Sequence, residues 1–253
     1  MPLVITPAIV LSSLRYSETS KIIRLATREH GVQSAIAKGA LRPRSRFGAS
    51  LQLLSDGVAH LVLKEHRDLH LLTAFDVARV RIGLAERLDR YAAASSLAEV
   101  MLRFAPPDPH PDSFELLRDA LDLLEQVPDD RIEATALRLL WALVSSLGFT
   151  PSLDECVRDG TPLDSEGPLA FSTREGGALC PACARGQATT VMPADARHDL
   201  TALLDLDAAL PAFDLRHAAA HRRLLSRFIR FHLGEGAALP ALDFWERRPW
   251  TAA

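Results

Sequence analysis

Three cysteines confined to one short segment constrain this chain more than any other feature. The segment, 148–183, opens with Gly148-Phe149-Thr150-Pro151-Ser152-Leu153-Asp154-Glu155-Cys156-Val157-Arg158-Asp159 and closes with Gly176-Gly177-Ala178-Leu179-Cys180-Pro181-Ala182-Cys183. Two turns about twenty residues apart, each offering two ligands at x-x spacing, are the layout of a structural zinc knuckle. Cys156, Cys180 and Cys183 supply three donors, and Asp159 stands where a second Cys-x-x-Cys would place the fourth. A carboxylate ligates zinc, but it is harder and less usual in a structural site. Two readings stay open: the four residues close on zinc, or the metal has been lost and Phe149, Leu153, Leu169 and Phe171 hold the loops by packing. A catalytic zinc of the deaminase kind has little support, since no histidine is followed two residues later by glutamate.

An insert of this size cannot account for 253 residues, of which 48% are hydrophobic. That content supplies more than one core, and the length predicts two or three units. No apolar run reaches the roughly eighteen residues of a membrane span. The start, Met1-Pro2-Leu3-Val4, lacks the basic region and apolar stretch of a secretory signal, which predicts a cytoplasmic protein. An odd number of cysteines, two of them in a knuckle, suits a reducing compartment.

The net charge of -3 hides an uneven distribution. Arg15, Lys21, Arg24, Arg28, Lys38, Arg42, Arg44 and Arg46 face only Glu18 and Glu29 over the same span. Such asymmetry predicts an anionic partner for the N-terminal unit, nucleic acid first. The same span reads as short strands, Ile9 to Leu14, Lys21 to Thr27 and Val32 to Ala37, with Glu29-His30-Gly31 as a hairpin turn. Leu51 to Leu63 and Leu69 to Ala74 add two more. Five strands without an intervening helix predict a small closed barrel of the OB type. Between the third and fourth, residues 38–50 set their cations among Gly, Pro and Ser, which predicts a flexible, exposed loop able to follow a phosphate backbone. Tyr16, Phe47 and Phe75 are too few for extensive base stacking, so binding is expected to be electrostatic and sequence-tolerant.

From Leu84 the period turns helical. Leu84, Leu88, Tyr91, Ser95, Ala98, Met101 and Leu102 mark one face; Phe114, Leu117, Leu121 and Leu124 mark a second helix capped by Asp112 and Ser113; Ile132, Leu139, Leu140, Leu143, Val144 and Leu147 mark a third, ended by Gly148. After the knuckle come a short helix over 194–206 and a long one over 214–233, with Leu215, Leu225, Phe228 and Ile229 inward. The outer side of the long helix carries Arg222, Arg223 and Arg227, a second candidate DNA surface. The fold class is therefore α+β: a barrel over 1–80, a helical domain over 81–148 and 188–253, and a zinc-ribbon-like insert over 149–187.

Taken together, these segments resemble the RecO family of bacterial recombination mediators over nearly the whole chain. The resemblance is carried by Ile9-Val10-Leu11, Thr27-Arg28-Glu29-His30-Gly31, Ala37-Lys38-Gly39-Ala40, Ser45 with Leu51-Gln52, and the two blocks around Cys156 and Cys180 quoted above. It implies a non-catalytic protein that binds single- and double-stranded DNA and anneals complementary strands. With RecR, such a protein helps load RecA onto strands covered by single-stranded-DNA-binding protein, whose acidic C-terminal tail it engages. Nucleoid association follows from that role. The resemblance also maps a zinc site onto Cys156, Asp159, Cys180 and Cys183, with Asp159 a departure from four cysteines, and DNA contacts onto Arg28 and Lys38. The competing expectation is a zinc-containing OB adaptor for RNA or protein. No phosphate-binding Gly-x-x-x-x-Gly-Lys loop or nucleophile elbow is present, so no catalytic residue is assigned.

Overall fold

In the computed structural model the described residues are 2–64, 66–106, 108–234 and 236–251, and they divide into two units, Met1–Gln126 and Val127–Ala253. The first unit begins with β1 (Leu3–Arg15), β2 (Lys21–Thr27), β3 (Gly31–Ala37), β4 (Asp56–Val62) and β5 (Leu69–Arg79). They close a barrel in the order β1-β2-β3-β5-β4, with β3 and β5 parallel and the other pairs antiparallel. This is the OB-type barrel that the strand pattern predicts. Closure depends on β1, which pairs with β4 along its first half and β2 along its second; a register shift between Val10 and Ser12 bends it between the two. The strand expected from Ile9 extends back to Leu3. In the structure Pro7 lies inside β1, where its carbonyl accepts from the Arg28 N–H.

Val10, Ile23, Leu25, Ala35, Leu61, Leu72 and Phe75 fill the barrel, joined by Ala40, Phe47 and Leu51 from the connection between β3 and β4. That connection is not the loose loop its composition suggests. Successive turns hold it, Arg42 N–H to Gly39 O at 3.1 Å, Ser45 to Arg42 at 3.0 Å and Ser50 to Phe47 at 2.8 Å, and burying Phe47 ties its middle to the core.

A 3-10 turn (Ile82–Glu86), α1 (Leu88–Phe104) and α2 (Pro111–Gln126) complete this unit. On α2 the expected stripe of Phe114, Leu117, Leu121 and Leu124 is buried. Asp112 and Ser113 lie within its first turn rather than capping it. On α1 the expected face holds in part: Ala98 and Met101 are buried, but Ala93, Ala94, Leu97 and Val100 are buried with them, whereas Leu88 and Tyr91 are exposed. Alanines allow close approach of neighbouring elements, and a reading weighted toward bulky side chains missed them. Arg81, its side chain fully buried, joins the barrel to α2 through Asp122 (2.6 Å), Asp56 (2.9 Å) and the Leu54 carbonyl (2.8 Å).

The second unit holds α3 (Ile132–Ser146), β6 (Leu169–Ser172), β7 (Gly177–Leu179), β8 (Thr190–Met192), α4 (Ala194–Leu204), α5 (Leu215–Leu233) and α6 (Pro240–Arg247). Trp141 of α3 meets Phe228 of α5 edge to face at 5.1 Å, in a helical core that also takes Leu140, Val144, Leu225 and Ile229. Leu215, expected inward, is 84% exposed, because Asp214 caps α5 and places Leu215 ahead of its buried face. The sequence reading omitted α6, which begins at Pro240 and buries Leu242 and Trp245. The three short strands form an antiparallel sheet, β7-β6-β8, whose last strand lies past position 187, the expected end of the insert. No described helix is long and apolar enough to cross a membrane.

Candidate nucleic-acid interface and metal centre

Strand register explains which of the N-terminal cations come together. Arg15 pairs with Lys21, and Lys21 with Ala37, so Arg15, Lys21 and Lys38 stand at one end of three adjacent strands, each roughly 4.8 Å from the next. The Leu41 N–H donates to Thr19 O at 3.0 Å, which brings Arg42 to the same end. Because β5 runs parallel to β3, its second half passes that end as well; there Phe75, Asp76, Val77 and Val80 line a shallow cleft with Ser45, Arg46 and Ser50. Arg15, Lys38, Arg42, Arg44 and Arg46 are exposed and Lys21 is partly so. Among the described residues none of these six has an acidic partner at ion-pair distance, so their charge faces solvent. Tyr16 is exposed in the neighbouring turn, whereas Phe47 belongs to the core and supports the Arg46 guanidinium, 5.2 Å above its ring.

The other two predicted contacts lie elsewhere. Arg28 follows the opposite end of β2, about 20 Å along the strand from Lys21. It donates to Glu115 at 2.7 Å and to Glu29 at 3.3 Å, and these carboxylates raise its pKa. Arg24 sits mid-strand, half-buried; desolvation and the nearby Arg103 lower its pKa. The structure thus brings together six of the eight cations and leaves Arg24 and Arg28 apart.

On α5 the predicted trio also divides. Arg222 is buried, donating to Glu133 and to the Glu246 carbonyl, so its charge is neutralised within the protein. Arg223 and Arg227 are exposed and line a cleft of about 240 Å³ with Met192, Pro193 and Leu224. His221 also lines it, 3% exposed, with no hydrogen-bond partner for either ring nitrogen among the described residues. Burial lowers its pKa to about 4.

The predicted metal ligands do meet. One donor atom from each of Cys156, Asp159, Cys180 and Cys183 falls within 4.8 Å of the others. The first knuckle closes by Cys156 N–H to Thr161 O (2.8 Å) and Gly160 N–H to Cys156 O (2.9 Å), with Gly160 at φ 69°, a conformation that favours glycine. The second closes by Ala184 N–H to Cys180 O (2.9 Å). Asp159 Oδ1 accepts from the Thr161 N–H at 3.0 Å, while Oδ2 points between Cys180 Sγ (3.5 Å) and Cys183 Sγ (3.2 Å). The Thr161 N–H and the thiols of Cys156 and Cys183 hold the Asp159 carboxyl far below its ordinary range. The same carboxylate pushes the Cys183 thiol up to about 12. For Cys156, burial raises the pKa, but backbone N–H groups of Cys180, Arg158 and Asp159 outweigh it and bring it down.

The donor set fits a metal: thiolates 2.3 Å from a shared tetrahedral ion would stand about 3.8 Å apart, close to the observed clustering. Leu179, Val157 and Leu163 pack around the sulfurs. Sequence reasoning missed what anchors this region, Arg197 of α4. Its side chain is buried and donates to the carbonyls of Leu153 (2.7 Å), Asp164 and Gly167 (3.3 Å). The available signal was its place on one helical stripe with Leu200 and Leu203.

The chain matches known families along most of its length. The family model described as Recombination protein O N terminal covers residues 1–81, and that described as Recombination protein O C terminal covers 85–239. The DNA repair protein RecO of Anaeromyxobacter sp. (strain K) is 35% identical over 237 residues, 91% of each chain. That of Rubrobacter xylanophilus is 35% identical over 227 residues, 89% of this chain and 88% of the relative.

Proposed function

This chain belongs to the recombination protein O family, which gives it a role in DNA repair and recombination, and on that footing we propose that it is a non-catalytic strand-annealing mediator. The barrel binds single- and double-stranded DNA through Arg15, Lys21, Lys38, Arg42, Arg44 and Arg46. Clustered cations neutralise phosphates on two strands and lower the repulsion between them, while base pairing selects the sequence. With RecR the protein helps load RecA onto strands coated with single-stranded-DNA-binding protein, engaging that protein's acidic tail, and Arg223 and Arg227 of the second unit offer a separate, secondary DNA surface. Zinc, held by Cys156, Asp159, Cys180 and Cys183, would supply a structural cross-link between the two knuckles. The observation that carries the reading is the gathering, at one barrel end, of cations that have no acidic partner among the described residues.

Annealing of complementary oligonucleotides over a salt series tests it, comparing the natural protein with a variant combining Arg42→Ala, Arg44→Ala and Arg46→Ala. Loss of annealing with a shallower salt slope supports the assignment. Unchanged activity moves the phosphate path to Arg223 and Arg227, and no annealing by either protein favours an adaptor for RNA or protein.

A further inference from the structure

Asp159 differs from the cysteines it joins in exposure and in the hydrogen bonds it makes. Cys156 and Cys180 are buried and packed against Leu179; Cys183 is half-buried and Asp159 is exposed. The site therefore has a buried sulfur side and an open side, and its hardest donor lies on the open side. A carboxylate binds a thiophilic ion less strongly than a thiolate does. Its Oδ1 is held by the Thr161 N–H, leaving Oδ2 as the single oxygen aimed at the cluster. That oxygen is also within hydrogen-bond reach of two thiols, Cys180 at 3.5 Å and Cys183 at 3.2 Å. With four cysteines, metal loss would leave only weak thiol donors and acceptors facing one another. Here a charged acceptor stands among them, and hydrogen bonds to a charged group are the stronger kind.

We propose that Asp159 is a two-way closure: with metal present it is the displaceable fourth ligand, and with metal absent its Oδ2 accepts from the Cys180 and Cys183 thiols and keeps the knuckles together. The ribbon then exchanges its metal without unfolding, as a permanently stapled four-cysteine ribbon would not. Arg197 supports the same behaviour, since it fixes the loops at Leu153, Asp164 and Gly167 by bonds that do not involve the metal. The proposal rests on the zinc reading above.

The test uses the full-length protein loaded with Zn2+, and in parallel with Co2+, together with the Asp159→Cys and Asp159→Ala variants. The first readout is the rate at which EDTA removes the metal; the second is amide hydrogen exchange across 153–183 once the metal is gone. The natural protein is expected to lose metal faster than Asp159→Cys by about 10–100-fold, the scale on which a single partner tunes a protein metal site. Its metal-free ribbon is expected to stay protected, while that of Asp159→Ala opens. Co2+ absorption establishes thiolate ligation in each loaded protein. Equal release rates for the natural protein and Asp159→Cys would overturn the displaceable-ligand half, and equal exchange in the metal-free natural protein and Asp159→Ala would overturn the other. Failure of the natural protein to take up either metal, with uptake by Asp159→Cys, would instead sink the zinc reading itself.

Discussion

Cations at the barrel end and cations on the helices of the second unit look alike in sequence and behave differently in the fold. At the barrel end Arg15, Lys38, Arg42, Arg44 and Arg46 are exposed and, among the described residues, have no acidic partner. On α4 and α5, Arg197 is committed to three carbonyls, Arg222 to Glu133 and Arg230 to Asp243 and Glu246. A guanidinium already neutralised within the protein releases no counterions when DNA arrives, whereas a solvated one does. Counting basic residues along a segment therefore overstates the second surface and describes the first fairly well.

The sharpest way to test this contrast is to remove a committed cation. Arg197→Ala is expected to lower stability by about 2 kcal/mol, because the buried Leu153 carbonyl and the part-buried carbonyls of Asp164 and Gly167 lose their donor at once. Denaturant unfolding would measure it, and a loss below about 1 kcal/mol would mean that those acceptors find other partners. Arg197→Lys should recover little, lacking the planar fork.

Histidines allow a second comparison, between buried His221 and half-exposed His217. His221 has a folded pKa near 4, below the ordinary 6.5 of the unfolded chain. Between those values the unfolded chain binds more protons, so stability should fall as pH drops from 6.5 toward 4, by up to about 3 kcal/mol, and change little further below. Asp199, whose pKa is raised by its own burial, faces His221 at 3.8 Å, and its attraction to the imidazolium works against that loss. Melting temperatures across this range should fall more steeply for the natural protein than for His221→Phe. Parallel curves would assign the acid sensitivity to other groups.

Solvated cations should show the opposite profile. The combined Arg42→Ala, Arg44→Ala and Arg46→Ala variant is expected to keep its stability within about 0.5 kcal/mol, since these side chains are exposed and have no ion pair among the described residues. Its affinity for double-stranded DNA should fall about tenfold or more, and the salt slope should flatten by up to about 0.9 per lost phosphate contact. The smallest effect is expected for Arg28→Ala. Arg28 is held by Glu115 and Glu29 and stands at the far end of β2, so the slope should change by less than about 0.9. A change as large as that of the triple variant would extend the DNA path along the whole barrel.

What the sequence made legible follows the physics of each element. Strands β2 and β3 were readable from their alternation and from Gly31, the metal cluster from its x-x spacing, and the α2 stripe from bulky side chains at helical period. The first half of β1 was hidden by Pro7, and the buried face of α1 by its alanines, which carry little hydrophobic signal each. Arg28 stands in a recognisable motif, yet its partner Glu115 is far along the chain, and no local pattern announces such a pairing. Arg81, Arg197 and Arg222 were invisible for the same reason: whether an arginine is buried depends on distant acceptors.

Arg81 also bears on how the protein can be dissected. The sequence places a boundary between 80 and 81, yet the residue just beyond it is the one bonded to the start of β4, to Leu54 and to α2. A fragment ending at 80 would leave Asp56 and the Leu54 carbonyl without their guanidinium, and one ending at 126 would keep all three bonds. The shortest barrel fragment suited to DNA-binding measurements is therefore 1–126, its two helices serving as a brace that the barrel carries with it.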